Sequence, residues 1–195
     1  PWDSLSEDRQ AWFERAMMVN AGMLEAMDFD IGRLVDFLMS TNQFDNTVFI
    51  ITSDNGPEFS FPSEFLSFRL WMFQNGYSDD IDRLGQKGSM VAIGPEWASA
   101  ASSPGNLFKF YAAEGGTHVP LIVAGPGVKK QPFNDARAFV TDVTPTILDL
   151  SGVAPEVRDS GEPMIGHSLG PLLRGEKASV YSRETPVGME VSGNA

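Results

Sequence analysis

Cysteine is absent from this sequence of 195 residues. Its absence excludes disulfide bonds, zinc sites with thiolate ligands and a cysteine nucleophile within the chain. It leaves the cellular compartment open between a periplasmic or secreted location and a cytoplasmic one, because a chain without cysteine suits either redox condition.

Positive charge and long apolar runs are also scarce. Lys and Arg number 14 against 26 Asp and Glu, which gives a formal net charge of −12. Such a chain repels the phosphates of nucleic acid, so we expect no nucleic-acid partner. No apolar run approaches the roughly 18 residues of a membrane span, so we expect no membrane-spanning segment.

Helical and extended patterns alternate along the chain. Apolar residues recur at three- and four-residue steps from Phe13 to Leu38 and predict a core-facing helix, or two helices broken near Gly22 or at 30–32. Ser4 and Glu7 have the spacing of a capping box at its start.

Three β-branched segments, at 47–52, 119–124 and 138–140, predict strands, and further short strands are expected at 180–181 and 187–191. Thr144 and Pro145 predict the start of a helix over 146–150 that ends at Gly152. A Pro- and Gly-rich loop follows at 153–166, and a short helix at 168–173. This alternation predicts an α/β fold with a mainly parallel sheet flanked by helices, in a single partial domain over 1–195. We expect the sheet to be incomplete within the chain, because short strands fall near its end.

The segment 59–77 is unusually rich in aromatic residues. A buried helix over 62–73 is the simplest interpretation. A hydrophobic lid or an aromatic wall beside a substrate is the second. Contact with a membrane surface is the third, and the absence of a basic face argues against it.

Two short motifs carry possible chemistry. In Ser53-Asp54-Asn55-Gly56, a carboxylate and a carboxamide follow a predicted strand, where both oxygens can reach one hard cation. Asp-Asn-Gly is also an ordinary turn sequence.

The second motif begins at Lys109 and continues through Glu114-Gly115-Gly116 to Pro120, before the predicted strand 119–124. The two glycines allow a close backbone approach. Lys109 offers a point charge to an anion, although a surface lysine is the simpler interpretation.

Taken in this order, the two motifs resemble the C-terminal half of the catalytic domain of type I sulfatases, which belong to the alkaline-phosphatase-like superfamily. The likeness extends to segments 23–38, 138–152 and 166–175. The segment 94–109 resembles bacterial arylsulfatases of the Pseudomonas type. In all, the resemblance covers about residues 8–190.

The resemblance implies a sulfuric ester hydrolase acting on small-molecule sulfate esters. Asp54 and Asn55 would be ligands of a calcium ion, with magnesium as the alternative, and Lys109 would bind the sulfate group and act in catalysis. The family's formylglycine nucleophile arises from a Cys/Ser-x-Pro-x-Arg motif, and the chain has no such motif. We therefore expect the nucleophile to come from an N-terminal half of the same protein and this chain alone to be inactive.

Several alternatives stay open beside this interpretation. The superfamily also contains phosphonate and phosphate ester hydrolases, and a non-catalytic fragment or inactive paralogue fits the missing nucleophile. The family commonly has Arg where this chain has His118, for which a structural role is favoured over a catalytic one. His167 is expected to be structural, and Glu114 to organise the glycine turn rather than act as a base.

Overall fold

The computed structural model describes residues 2–131, 133–154, 163–186, 188–191 and 193. The chain divides into two compact units. The first unit comprises Pro1–Ser40, Asn55–Val119 and Met189–Ala195, and the second comprises Thr41–Asp54 and Pro120–Gly188. None of the described helices combines the length and the apolar character needed to cross a bilayer.

Helix α1 dominates the first unit as one continuous helix of 34 residues, Glu7–Ser40. It does not break at Gly22 or at 30–32, so the single-helix alternative is the correct one. The predicted capping box is wrong, because Ser4 belongs to a preceding 3-10 helix, Trp2–Ser4. Ser6 stands before α1 instead, and its Oγ accepts a hydrogen bond from the Arg9 N–H at 3.3 Å.

The core of the first unit packs against the N-terminal part of α1. Phe13 and Ala16 are fully buried there, and Gly94, at the start of helix α3 (Gly94–Ala101), lies so close that an added Cβ would come within 2.4 Å of the Phe13 ring. Farther along α1, the predicted core face is half exposed. Leu24, for example, has 55% of its surface exposed.

The first unit also contains helices α2 (Leu66–Gln74) and α4 (Glu114–Thr117) and short 3-10 helices at Pro62–Glu64 and Ile81–Arg83. Helix α2 corrects the prediction of a buried helix over 62–73, because Met72 is its one buried residue. Several large apolar side chains of this aromatic segment are instead exposed: Phe65, Leu66, Leu70, Trp71, Phe73 and Tyr77.

Two predicted strands pair in the second unit. Strand β1 (Phe49–Thr52) runs antiparallel to β2 (Leu121–Ala124), with Phe49 opposite Ala124 and Thr52 opposite Leu121. The prediction of a mainly parallel sheet is therefore not confirmed by the described residues, whose one strand pair is antiparallel. Side-chain pattern identifies a strand, but its direction relative to a neighbour depends on the path of the chain between them.

The predicted third strand at 138–140 is wrong. The Asp142 side chain accepts a hydrogen bond from the Phe139 N–H at 2.8 Å and turns the chain into a 3-10 helix, Val140–Asp142. Helix α5 then begins at Val143, one residue before the predicted cap Thr144, and ends at Ser151. Gly152 terminates it in the left-handed conformation, with φ of 70°.

The last part of the second unit contains helix α6 (Gly170–Leu173), which confirms the predicted short helix at 168–173. The predicted strand at 180–181 is wrong, because both residues lie in bends. Most of the predicted loop 153–166, at 155–162, and the first residue of the predicted strand 187–191 lie outside the described residues.

Candidate active site

The predicted metal ligands follow strand β1. Asp54 is exposed and ends the segment Thr41–Asp54 of the second unit, and Asn55 is half-buried and begins the segment Asn55–Val119 of the first. The Asn55 Nδ2 donates a hydrogen bond to the Gly56 carbonyl at 2.9 Å. This bond orients the side-chain amide of Asn55.

The chemistry of this donor pair fits a hard cation better than zinc. A carboxylate and a carboxamide oxygen are ligands of calcium or magnesium, whereas zinc prefers nitrogen and sulfur. Within the described ranges, no group of three or more His, Asp or Glu residues is arranged to hold a metal ion. If Asp54 and Asn55 bind calcium as predicted, they would supply only part of the roughly 6–8 oxygens that this ion takes.

Gly56 is fixed by backbone contact with the second motif. Its N–H donates to the Gly116 carbonyl at 2.9 Å. A Cβ at Gly56 would lie 1.8 Å from the Gly115 oxygen, so no larger residue fits without movement of the backbone. The two sequence motifs, far apart in the chain, thus meet through their glycines within the first unit.

Because Gly115 and Gly116 have no side chains, the backbone of the loop that carries Lys109 packs directly against them. A Cβ at Gly115 would lie 1.9 Å from the Leu107 oxygen, and one at Gly116 would lie 2.3 Å from the Tyr111 oxygen. The Gly115 N–H also donates to the Asn106 carbonyl at 2.9 Å. The close approach that the glycines predict is therefore an approach of the chain's own backbone, and it fixes the loop 105–111.

Lys109 is held at both ends by the segment that follows Asp54-Asn55. Its N–H donates to the Pro57 carbonyl at 3.1 Å, and its Nζ lies 2.8 Å from Glu58 Oε2. The two charged side chains are 32% and 41% exposed, which keeps them within reach of a ligand.

Glu58 was not selected as a site residue from the sequence, yet it is the ion-pair partner of Lys109. Its Oε1 accepts a hydrogen bond from the Ser60 N–H at 2.9 Å. Partial burial by itself would raise the pKa of the Glu58 carboxyl, but the hydrogen bonds from Lys109 and Ser60 outweigh it and lower that pKa. Glu58 is therefore charged at neutral pH.

The aromatic residues of the Lys109 loop form a cluster with Phe59. The Phe59 ring stacks on Phe108 with centroids 4.8 Å apart and meets Phe110 edge-on at 6.0 Å. Tyr111 packs edge-on against Phe108 at 5.6 Å. The Lys109 Nζ itself lies 5.1 Å from the centre of the Phe110 ring. The sequence signal for this cluster is the run Phe108-Lys109-Phe110-Tyr111.

Two bulky residues of the loop adopt the left-handed backbone region. Leu107 has φ of 60° and Phe110 has φ of 75°. Such conformations are costly for residues other than glycine and persist where the surrounding structure imposes them. Here the imposing contacts are the glycine packing and the bond from the Lys109 N–H to the Pro57 carbonyl.

His118 and Glu114 form an exposed pair at the far end of the same motif. Glu114 is the first residue of α4, and its Oε2 lies 2.7 Å from His118 Nδ1. The Glu114 side chain is 71% exposed and the His118 side chain is 78% exposed. The pair joins residues within one helical turn.

The predicted structural histidine, His167, is an exposed residue whose backbone joins a buried polar cluster of the second unit. Its backbone N–H donates to Asp142 Oδ1 at 2.8 Å, and the Tyr181 hydroxyl donates to the same oxygen at 2.5 Å. Thr146 Oγ1 donates to the Asp142 carbonyl at 2.6 Å and accepts from the Leu169 N–H at 2.8 Å. Asp142 and Thr146 are almost completely buried, so this cluster holds the segments 138–152 and 166–175 together.

The comparisons with known proteins agree with this set of motifs. The family model described as Sulfatase matches residues 3–153. An uncharacterized sulfatase of Schizosaccharomyces pombe is 35% identical over 153 residues, which are 78% of this chain and 28% of that protein. An arylsulfatase of Klebsiella aerogenes is 33% identical over 178 residues, which are 88% of this chain and 38% of that protein.

A choline-sulfatase of Rhizobium meliloti is 28% identical over 192 residues, which are 98% of this chain and 27% of that protein. The chain thus spans less than two fifths of the length of these curated relatives. The sulfatase match also implies an α/β fold of the alkaline-phosphatase type. Because the family model covers more than half of the sequence, the chain belongs to the sulfatase family.

Proposed function

We propose that the complete protein containing this chain hydrolyses sulfate monoesters of small molecules. The observation that carries the proposal is the Lys109 ammonium, which is part-exposed and fixed on a glycine-packed loop in a chain of the sulfatase family. Relatives named arylsulfatase and choline-sulfatase support the sulfate ester as the substrate class.

In this proposal Lys109 binds the sulfate group. Cleavage of a sulfate ester moves negative charge among the sulfate oxygens and onto the leaving oxygen. An ammonium already fixed in place stabilises that charge without having to reorganise during the reaction. The aromatic cluster of Phe59, Phe108 and Phe110 offers an apolar surface to the alcohol part of the ester.

Asp54 and Asn55 are the residues that we propose as calcium ligands, with magnesium as the alternative. When bound, the cation would polarise a sulfate oxygen and offset its charge. We further propose that the nucleophile is a formylglycine supplied by an N-terminal half of the same protein. The chain lacks the Cys/Ser-x-Pro-x-Arg motif from which that residue arises, so we expect it to be inactive alone.

A phosphate or phosphonate ester is the second candidate substrate. Its anion presents oxygens of similar geometry to a lysine and a hard cation. Asn55 favours the sulfate ester, because two-zinc phosphatases usually have His beside the aspartate, and a carboxamide is a poorer zinc ligand than imidazole.

The test is a matched assay of the complete protein. We expect hydrolysis of p-nitrophenyl sulfate to exceed that of p-nitrophenyl phosphate and of a phenylphosphonate monoester. A chelator should abolish this activity, and added calcium should restore it. Preferred hydrolysis of the phosphorus esters would support the second candidate. A complete protein that cleaves none of the three would support a non-catalytic chain.

A further inference from the structure

We propose that Glu58 is a positioning residue that fixes the Lys109 ammonium for its work on the substrate. The inference rests on the function proposed for Lys109. It concerns a residue for which neither the sequence motifs nor the comparisons give a role.

The Glu58 carboxylate is itself held in place. Its Oε1 accepts the Ser60 N–H at 2.9 Å, so the carboxylate is tied to the backbone two residues on. Its Oε2 then lies 2.8 Å from Lys109 Nζ. A carboxylate fixed through one oxygen gives the lysine a defined partner at the other.

The same short segment also holds the backbone of the lysine. The Pro57 carbonyl accepts the Lys109 N–H at 3.1 Å. The Phe110 ring lies 5.1 Å from Nζ. Pro57 therefore holds the backbone of Lys109, and Glu58 holds the ammonium at the end of its long and otherwise flexible side chain.

The Lys109–Glu58 ion pair is better suited to positioning the ammonium than to stabilising the fold. Both side chains are about one third exposed or more, and ion pairs of that exposure contribute little to folding stability. An ammonium has three N–H donors, so a bond to Glu58 is compatible with a bond to a sulfate oxygen. Small displacements of a catalytic group reduce rates strongly.

The kinetic test compares three variants of the complete protein. We expect Glu58→Gln to lower kcat/KM for p-nitrophenyl sulfate by about 10- to 100-fold, mostly in kcat, because the ammonium loses its charged partner. Glu58→Asp should restore part of the loss. The matched control is Glu64→Gln, which removes the Arg9–Glu64 ion pair of 2.6 Å in the same unit and should stay within about twofold of the wild type.

A second readout does not depend on sulfatase activity. Trace labelling with acetic anhydride, followed by mass spectrometry, measures the reactivity of Lys109 relative to the exposed Lys87. We expect Glu58→Gln to raise the relative labelling of Lys109 about threefold or more, since the ion pair restrains the amine, and Glu64→Gln to leave it unchanged.

The outcomes separate the two proposals. Labelling and kinetics that are both unchanged in Glu58→Gln would overturn the role of Glu58. A faster Glu58→Gln enzyme with a lower KM would also overturn it, because Glu58 would then mask the lysine from the substrate. Altered labelling in a protein whose wild type cleaves no sulfate ester would support the hold on Lys109 and refute the proposed function.

Discussion

The polar cluster around Asp142 and the ion pair at Lys109 both lie in segments that resemble sulfatases, but they differ in exposure. Asp142 is fully buried, and three donors of the second unit, the Phe139 and His167 N–H groups and the Tyr181 hydroxyl, bond to its carboxylate. The Lys109 and Glu58 side chains of the first unit are 32% and 41% exposed.

This difference separates residues that maintain the fold from residues available for chemistry. A buried carboxylate is stable only when the protein satisfies its hydrogen bonds, so the contacts of Asp142 are a requirement of folding. A part-exposed ammonium needs no such network. Its position on a loop with left-handed Leu107 and Phe110 agrees with the sulfate-binding role that we propose for it.

The largest expected effect on stability is at Asp142. Asp142→Ala should lower the free energy of unfolding by about 3 kcal/mol, because it leaves buried donors without their acceptor. Urea denaturation of the complete protein measures this loss. Asp149→Ala, at a carboxylate that pairs with Arg174 and is 30% exposed, is the control and should cost less. Equal losses in the two variants would contradict the distinction between the buried cluster and exposed pairs.

A smaller loss is expected at the glycine contact beneath Lys109. Gly56→Ala places a Cβ 1.8 Å from a backbone oxygen, and the resulting shift should cost about 1–3 kcal/mol and lower the rate of ester hydrolysis. Gly22→Ala is the matched control, because nothing lies within 4 Å of its Cβ in helix α1, and it should stabilise by up to about 1 kcal/mol. Thermal unfolding and the ester assay together measure both changes. A Gly56→Ala protein with wild-type stability and rate would refute the contact.

The smallest effect is a pH dependence at Tyr181. Burial and the hydrogen bond to Asp142 raise the pKa of Tyr181 to about 12, so the folded state favours the neutral phenol. The stabilisation is complete below the ordinary tyrosine pKa of about 10 and is lost as pH rises through 12. Between these values the wild type should lose thermal stability more steeply than Tyr181→Phe. Parallel pH profiles of the two proteins would argue against the hydrogen bond.

The sequence predicted those elements whose signals are local. The β-branched runs identified β1 and β2, and the apolar spacing identified α1, because each pattern follows from the geometry of a single element. The antiparallel pairing could not be predicted, since it depends on the path of the chain between the strands. The prediction of a buried helix in the aromatic segment was wrong, because an apolar sequence does not show whether another part of the protein packs against the helix.

The candidate site was predicted only in part for a similar reason. Asp54, Asn55 and Lys109 were selected through motif order, and their roles stay predictions. Glu58 belongs to neither motif, although the fold brings it to 2.8 Å from Lys109 across a long stretch of sequence. The buried role of Asp142 was also missed, because its partners come from three separate segments.

The most direct test of this account is the kinetic and thermal comparison of Lys109→Met with the wild type in the complete protein. Methionine keeps most of the apolar stem and removes the charge. We predict that kcat/KM for p-nitrophenyl sulfate falls by about 100-fold or more, while the unfolding midpoint changes by less than about 2 °C. Activity within about threefold of the wild type would contradict a role for Lys109 in sulfate-ester cleavage.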